Sequence, residues 1–140
     1  MMHGGVVFRR SPPGTAPGLA FLPATIALKV LPVPSIAHVP GAPPELRGVA
    51  LVDGDMIAIV SAGSLHSDAM LVCAVLGEQI GLVGSEVVAT GKFEAADGGD
   101  VHLGPKDAAD QEGRIARAFD VATLIAKVRE GRWGVTLPEL

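Results

Sequence analysis

Between Ala27 and Val60 the chain, ALKVLPVPSIAHVPGAPPELRGVALVDGDMIAIV, shows its most regular alternation of apolar and polar positions. Ile26 to Val30 is apolar apart from Lys29, and Pro32 and Pro34 then stop any ladder, because proline has no amide hydrogen to donate. This predicts a strand ending near Leu31. Three prolines at positions 40, 43 and 44 make the next segment a stiff loop, excluded from helix and from central strand. Two short apolar runs follow, Leu46 to Val52 and Met56 to Val60, joined by Asp53-Gly54, the strongest short-range sign of a two-residue hairpin. Upstream, Gly18 to Leu22 and Thr25 to Val30 flank Pro23-Ala24 and predict a first hairpin. Downstream, the unbroken apolar run Ala69 to Leu76 predicts a strand buried on both faces. The Leu-Gly-Glu-Gln turn leads from it into Ile80 to Val83, and Val87 to Phe93 gives a further extended piece.

Two segments carry the opposite pattern. Met1 to Pro17 ends in a proline- and glycine-rich tract with little apolar area to offset its ordering entropy, and is expected to be a mobile tail. From Glu94 to Gly113 acidic residues gather around glycines, which predicts a solvated, flexible loop. Ile115 to Phe119 then suits a last strand. Asp120 is a favourable N-cap for a helix over Val121 to Glu130, with Leu124, Ile125 and Val128 on one face, Lys127 and Arg129 near its C-terminal end and Gly131 to stop it. The resulting organisation is a tail over 1–17, one domain over 18–131 and a C-terminal tail over 132–140. Short strands with glycine or proline turns about every ten residues point to a mainly β, small-barrel architecture.

Composition narrows the function more than the fold. At 140 residues the chain is one domain, and no apolar run approaches the roughly 18 residues of a membrane-spanning helix. A net charge of −4, with no basic cluster beyond Arg9-Arg10, lacks the footprint of a nucleic-acid binder. The single Cys73 excludes an internal disulfide and fits a reducing, cytoplasmic setting; inside its apolar run it reads as an inert core thiol. His3, His38, His66 and His102 have no partner at metal-ligand or catalytic spacing. Asp53 and Asp55 around Gly54 are explained by turn preference. The 18 glycines form neither a GxGxxG nor a GxxxxGK[ST] phosphate cradle. No enzyme, cofactor or metal is expected, and the residues describe a binding module.

The order of a strand, PVPSI, a proline-rich loop, PPELRGVALVDG and an apolar strand resembles the CheW-like domain of bacterial chemosensory coupling proteins. Gln79 to Val88, QIGLVGSEVV, is similar to that family's VGLLVDEV element, and Gly113 to Ile125 to its closing strand and short helix. The resemblance covers about Leu19 to Ile125 in the family's order. It implies two intertwined five-stranded SH3-like barrels with a short C-terminal helix, and a groove between them that receives a partner. It further implies a non-enzymatic adaptor that binds the cytoplasmic tip of methyl-accepting chemoreceptors and the regulatory domain of the CheA-type histidine kinase, or another CheW-like protein.

Family positions implicated in receptor contact match Val33, Ser35, Gly48, Asp53 and Val87, with Arg47 at a basic position and Gly81 as a neighbouring structural glycine. Ser35 stands where an acidic residue is common, and Asp53 where the family has the arginine of its LRG motif. Such a reversal at an interface turns an attraction into a like-charge contact worth several kcal/mol. The loops at 37–46 and 62–68 are also shorter than usual, and Ser61-Ala62-Gly63 replaces a DLR-like motif. These departures lead to the expectation of a short, divergent coupling protein, of the kind serving gliding-reversal systems, that keeps the receptor groove and has weakened or lost kinase bridging. The alternatives are a conventional scaffold bridging receptor and kinase, and a small-molecule-binding β-barrel.

Overall fold

The computed structural model describes residues 1–11, 18–63, 66, 68–104 and 114–130. Its strands are β1 (Met2–Arg10), β2 (Gly18–Pro23), β3 (Ala27–Pro32), β4 (Leu46–Val52), β5 (Asp55–Ser61), β6 (Ala69–Val75), β7 (Glu78–Val83), β8 (Ser85–Ala95), β9 (Val101–His102) and β10 (Ile115–Ala118), followed by the helix α1 (Val121–Glu130). Strands β1, β2, β10, β9 and β8 close into one barrel, and β3, β6, β7, β5 and β4 form a second sheet in that order. The second unit is thus inserted between β2 and β8 of the first, so the two are entwined along the chain.

Strand alternation sorts the apolar residues into three clusters. Val7, Leu19, Phe21, Phe93, Val101, Leu103 and Ala116 fill the first barrel. Ala50, Val52, Ile57, Ile59, Met70, Val72 and Val83 fill the second. The opposite parity of the same strands, including Val6, Phe8, Ala20, Leu22, Leu71, Cys73, Ile80 and Leu82, meets between the barrels, where Val121, Ile125 and Val128 of α1 join it. Strand β6 therefore contributes to both sides, as its continuous apolar run predicts. A side chain at Gly81 would enter the second barrel about 2.4 Å from Met70 Sδ and 2.7 Å from Ile59 Cδ1, so the glycine is what lets Met70 fill the interior.

The second sheet leaves β3 and β4 as edges, and the loop after β3 closes the gap. Ala37 bridges Val49, its amide donating to the Val49 carbonyl at 2.8 Å and the Val49 amide donating to the Ala37 carbonyl at 3.0 Å. The Lys29 ammonium of β3 also pairs with the Asp53 carboxylate at the β4–β5 turn.

Most elements match the sequence expectation. The β4–β5 hairpin turns on Asp53 and Gly54, both left-handed at φ 50° and 86°, as an Asp-Gly type I′ turn requires. Asp120 caps α1, accepting the Thr123 amide at 3.0 Å on Oδ1.

Three expectations are corrected. The tail placed at 1–17 instead contains β1, a central strand laddered to β2 and β8, with Val7 and Phe8 fully buried. Its pairing partner β8 lies some eighty residues away, so local composition gives no sign of it. The hairpin expected from Gly18–Leu22 and Thr25–Val30 does not form: β2 pairs with β1 and β10 while β3 pairs with β6. Pro23 to Ile26 is the crossing between barrels, and Ala27 already faces the shared core. The loop expected over Glu94–Gly113 begins two residues late, after Ala95, and includes β9, whose Val101 is buried with Leu103 in the first barrel. Two apolar residues in an acidic, glycine-rich stretch suffice because β8 and β10 flank them. The remaining tail positions 12–17 and 132–140, the loop positions 105–113 and Gly131 lie outside the described residues.

Candidate functional site

The six positions singled out by the sequence do not converge on one surface. Val33 is half-buried and packs with Leu31 and Ile36 on the second barrel's core, its amide donating to the Asp68 carbonyl at 2.9 Å. Ser35 is exposed. Gly48 is buried, with φ at 148°, and a Cβ there would sit 2.2 Å from the Ala37 carbonyl oxygen and 2.7 Å from Ile36 Cγ2. It occupies the bulge of β4 against which the closing segment lies, so the structure gives it a role in closure rather than an outward face. Arg47 projects to solvent beside Ser61, with Nη2 3.5 Å from Oγ. The Ser61 hydroxyl in turn donates to the Gly63 carbonyl at 2.6 Å. Asp53 is exposed at the far end of the same hairpin. Val87 is on β8 of the other barrel, opposite Phe8 of β1, half-buried against the shared core.

The charge at Asp53 is answered within the chain. Lys29 holds its carboxylate across the gap between β3 and the hairpin tip, so the tip presents an ion pair instead of an isolated negative charge. The sequence offers Asp53 as a turn residue or as a charge facing an external partner; the apposition of β3 and the hairpin tip that brings Lys29 to it exists only in the folded barrel.

A second feature escaped sequence reading. Strands β5 and β7 pair in parallel with Ala58 beside Ile80, so the turns that precede them lie at the same end of the barrel. Between these strand starts runs a groove lined by Met56, Ala58, Glu78 and Ile80 among others. Leu51 and Met56, direct cross-strand partners, and Leu76 are 64%, 66% and 74% exposed. Leu76 also takes φ 52°, in a turn position that favours glycine, asparagine or aspartate. An exposed leucine in a left-handed conformation is unfavourable on both counts. The sequence signal was available: Leu-Gly stands at this turn where Asp-Gly stands at the preceding one.

For chemistry the structure offers little. Burial pushes the Cys73 thiol up to about 12, which keeps it protonated and unreactive. His3, His38, His66 and His102 are exposed, and His66 lies 3.6 Å from an equally exposed Asp68. Among the described residues no three His, Cys, Asp or Glu side chains converge as a metal site would require. No helix among them is long and apolar enough to cross a membrane.

No family model matches the chain, and no curated protein does. The structure is similar to that of the scaffolding protein TtCheW from Thermoanaerobacter tengcongensis, with a TM-score of 0.63 over 89% of this chain and 88% of that one, at 16% sequence identity. Two entwined five-stranded β units around a shared core, closed by one short helix, are thus matched over nearly the whole length of both chains, and the fold of this protein is CheW-like.

Proposed function

We propose that this chain is a non-enzymatic chemosensory adaptor that docks on the cytoplasmic tip of methyl-accepting chemoreceptors and bridges weakly or not at all to a CheA-type histidine kinase. The observation that carries the adaptor reading is the CheW-like pair of β units, matched over 89% of the chain to a scaffolding protein. Both interiors are filled by side chains, which leaves the outer faces and ends for binding and disfavours a barrel holding a small molecule.

The weakened bridge rests on the hairpin tip. Where the resemblance calls for an arginine, Asp53 is already paired with Lys29. A partner evolved to meet an arginine would have to break that pair or accept a like charge. On this reading the protein is cytoplasmic, competes for receptor tips, and belongs with accessory systems of the gliding-reversal kind.

One observation favours ordinary scaffolding instead. Leu51, Met56 and Leu76 form an exposed apolar end on the second barrel, a surface of the type that a second partner covers.

A side-by-side titration decides between the two. The protein is titrated with a receptor cytoplasmic tip and, separately, with a kinase regulatory domain at one moderate salt concentration. A Kd near micromolar for the first, about −8 kcal/mol, with no saturation for the second supports the receptor-only adaptor. Binding to both makes it a conventional scaffold, and binding to neither removes the coupling function while leaving the fold intact.

A further inference from the structure

Helix α1 has ten residues, too few to be stable without docking, and it lies over the core shared by the two barrels through Val121, Ile125 and Val128. Those contacts are apolar and non-directional. Directional contacts concentrate at its entry. The Phe119 amide donates to the Phe21 carbonyl at 2.9 Å, and its ring meets Phe8 edge-on with centroids 5.4 Å apart. The Arg10 guanidinium lies over the same ring, 4.7 Å from the centroid. Arg10 Nε meanwhile donates to the Ala62 carbonyl at 2.7 Å.

Ala62 follows β5 directly, is itself buried, and donates its amide to the Val83 carbonyl at 2.8 Å. One side chain at the end of β1 therefore touches both the residue after β5 in the second barrel and the aromatic residue that leads into α1.

We propose that Arg10 is the latch of α1: its bond to Ala62 and its stack on Phe119 hold the helix over the inter-barrel core, and without them α1 undocks as a unit while both barrels stay folded. The device needs no partner to operate, so it stands or falls apart from the adaptor reading. It differs from a plain contribution to stability in being local. The barrels keep their own ladders and interiors, whereas the helix docks through one apolar face and this entry.

Amide hydrogen exchange of the full chain tests it, comparing Leu124 to Val128 with Val72 of β6 and Leu82 of β7. The Arg10→Met variant keeps an aliphatic stem against Phe119 and loses the charge and the donor. It is expected to speed exchange in α1 about tenfold, the size set by a partly buried cation–π contact and a charge-assisted hydrogen bond, with β6 and β7 unchanged. Phe119→Leu removes the ring and leaves the bond to Ala62, so a smaller acceleration confined to α1 is expected; it also decides the matter if Arg10→Met fails to fold. Unchanged α1 exchange in the folded variants would overturn the latch, as would an equal acceleration of helix and strands.

Discussion

Replacing Gly48 with alanine separates the two roles open to that residue, partner contact and barrel closure. The new Cβ would lie 2.2 Å from the Ala37 carbonyl oxygen and 2.9 Å from its carbonyl carbon. These are backbone atoms, which cannot rotate away as a side-chain tip can. The backbone at φ 148° is also one that an L-residue adopts only with strain, worth about 1–3 kcal/mol. To relieve the clash the 36–37 segment must lift, breaking the two hydrogen bonds between Ala37 and Val49, each worth about 0.5–1.5 kcal/mol net. The sum is roughly 2–6 kcal/mol, a large part of the stability of an ordinary domain. In urea, with a slope of about 2 kcal/mol per molar, the midpoint should fall by at least about 1 M. The amides of Ala37 and Val49 should lose protection before any others. If the variant unfolds at the native midpoint with both amides still protected, closure through Gly48 is wrong, and a loss of binding alone would return the residue to the docking surface.

Four further outcomes follow from the same geometry. Gly81→Ala and Met70→Ala should each destabilise, the first by about 1–3 kcal/mol through overpacking and the second by about 2–5 through a cavity, but the double variant should cost less than their sum, because the added methyl occupies space that Met70 vacates; strict additivity in denaturant titrations would refute the contact. The thiol of Cys73, pushed up to about 12 by burial, should resist a disulfide reagent in the native state and react only after unfolding; rapid native labelling would contradict its placement. Asp120 has its carboxyl held below the ordinary range by the Thr123 hydroxyl and amide, so its support of α1 is complete above the unfolded-state pKa and is lost as pH falls through the lower folded value. Exchange in α1 should quicken over that acid window in the native protein and show no such step in Asp120→Asn. Exchanging the charges of Lys29 and Asp53 should alter stability by no more than about 1 kcal/mol, as for other exposed pairs, whereas Asp53→Arg alone sets two cations together; the receptor and kinase titrations repeated on both variants should show kinase binding rise in Asp53→Arg, and no change there would remove the hairpin tip from that interface.

What could be read from the sequence was whatever rests on local pattern. Asp53-Gly54 specifies its turn because both residues tolerate φ above zero, Asp120 marks the helix start by its reach to the Thr123 amide, and the run from Ala69 to Val75 is apolar on both faces because a barrel interior lies on one side and the shared core on the other. What could not be read depends on distant pairing. Strand β1 has the same local composition whether or not β8 lies beside it. Gly18 to Val30 looks like a hairpin because its two halves are both strands, and only the destinations of those strands, in different sheets, show that Pro23 to Ile26 is a crossing. The candidate positions divide in the same way. Gly48 and Val33 stand at positions that the resemblance links to receptor contact, yet the first supports closure and the second packs inward. The residue that most changes the meaning of Asp53 is Lys29, 24 positions earlier.

The parity of the strands also restricts where any partner can touch this molecule. In each barrel one set of alternate residues is spent on the interior, and across much of β1, β2, β6 and β7 the other set is spent on the core between the barrels. The faces left uncovered are strand ends, turns and the outer sides of the edge strands. Arg47, Leu51, Asp53, Met56 and Leu76 all lie on such positions, on two neighbouring hairpins of the second barrel, and Leu51, Met56 and Leu76 are the apolar part of that surface. A substitution there can change the surface without disturbing what is folded: Asp53, met by Lys29 at the hairpin tip, leaves the three clusters intact. The hairpin ends are therefore free to vary in sequence, whereas changes in the interior positions Gly81 and Met70 register as stability first.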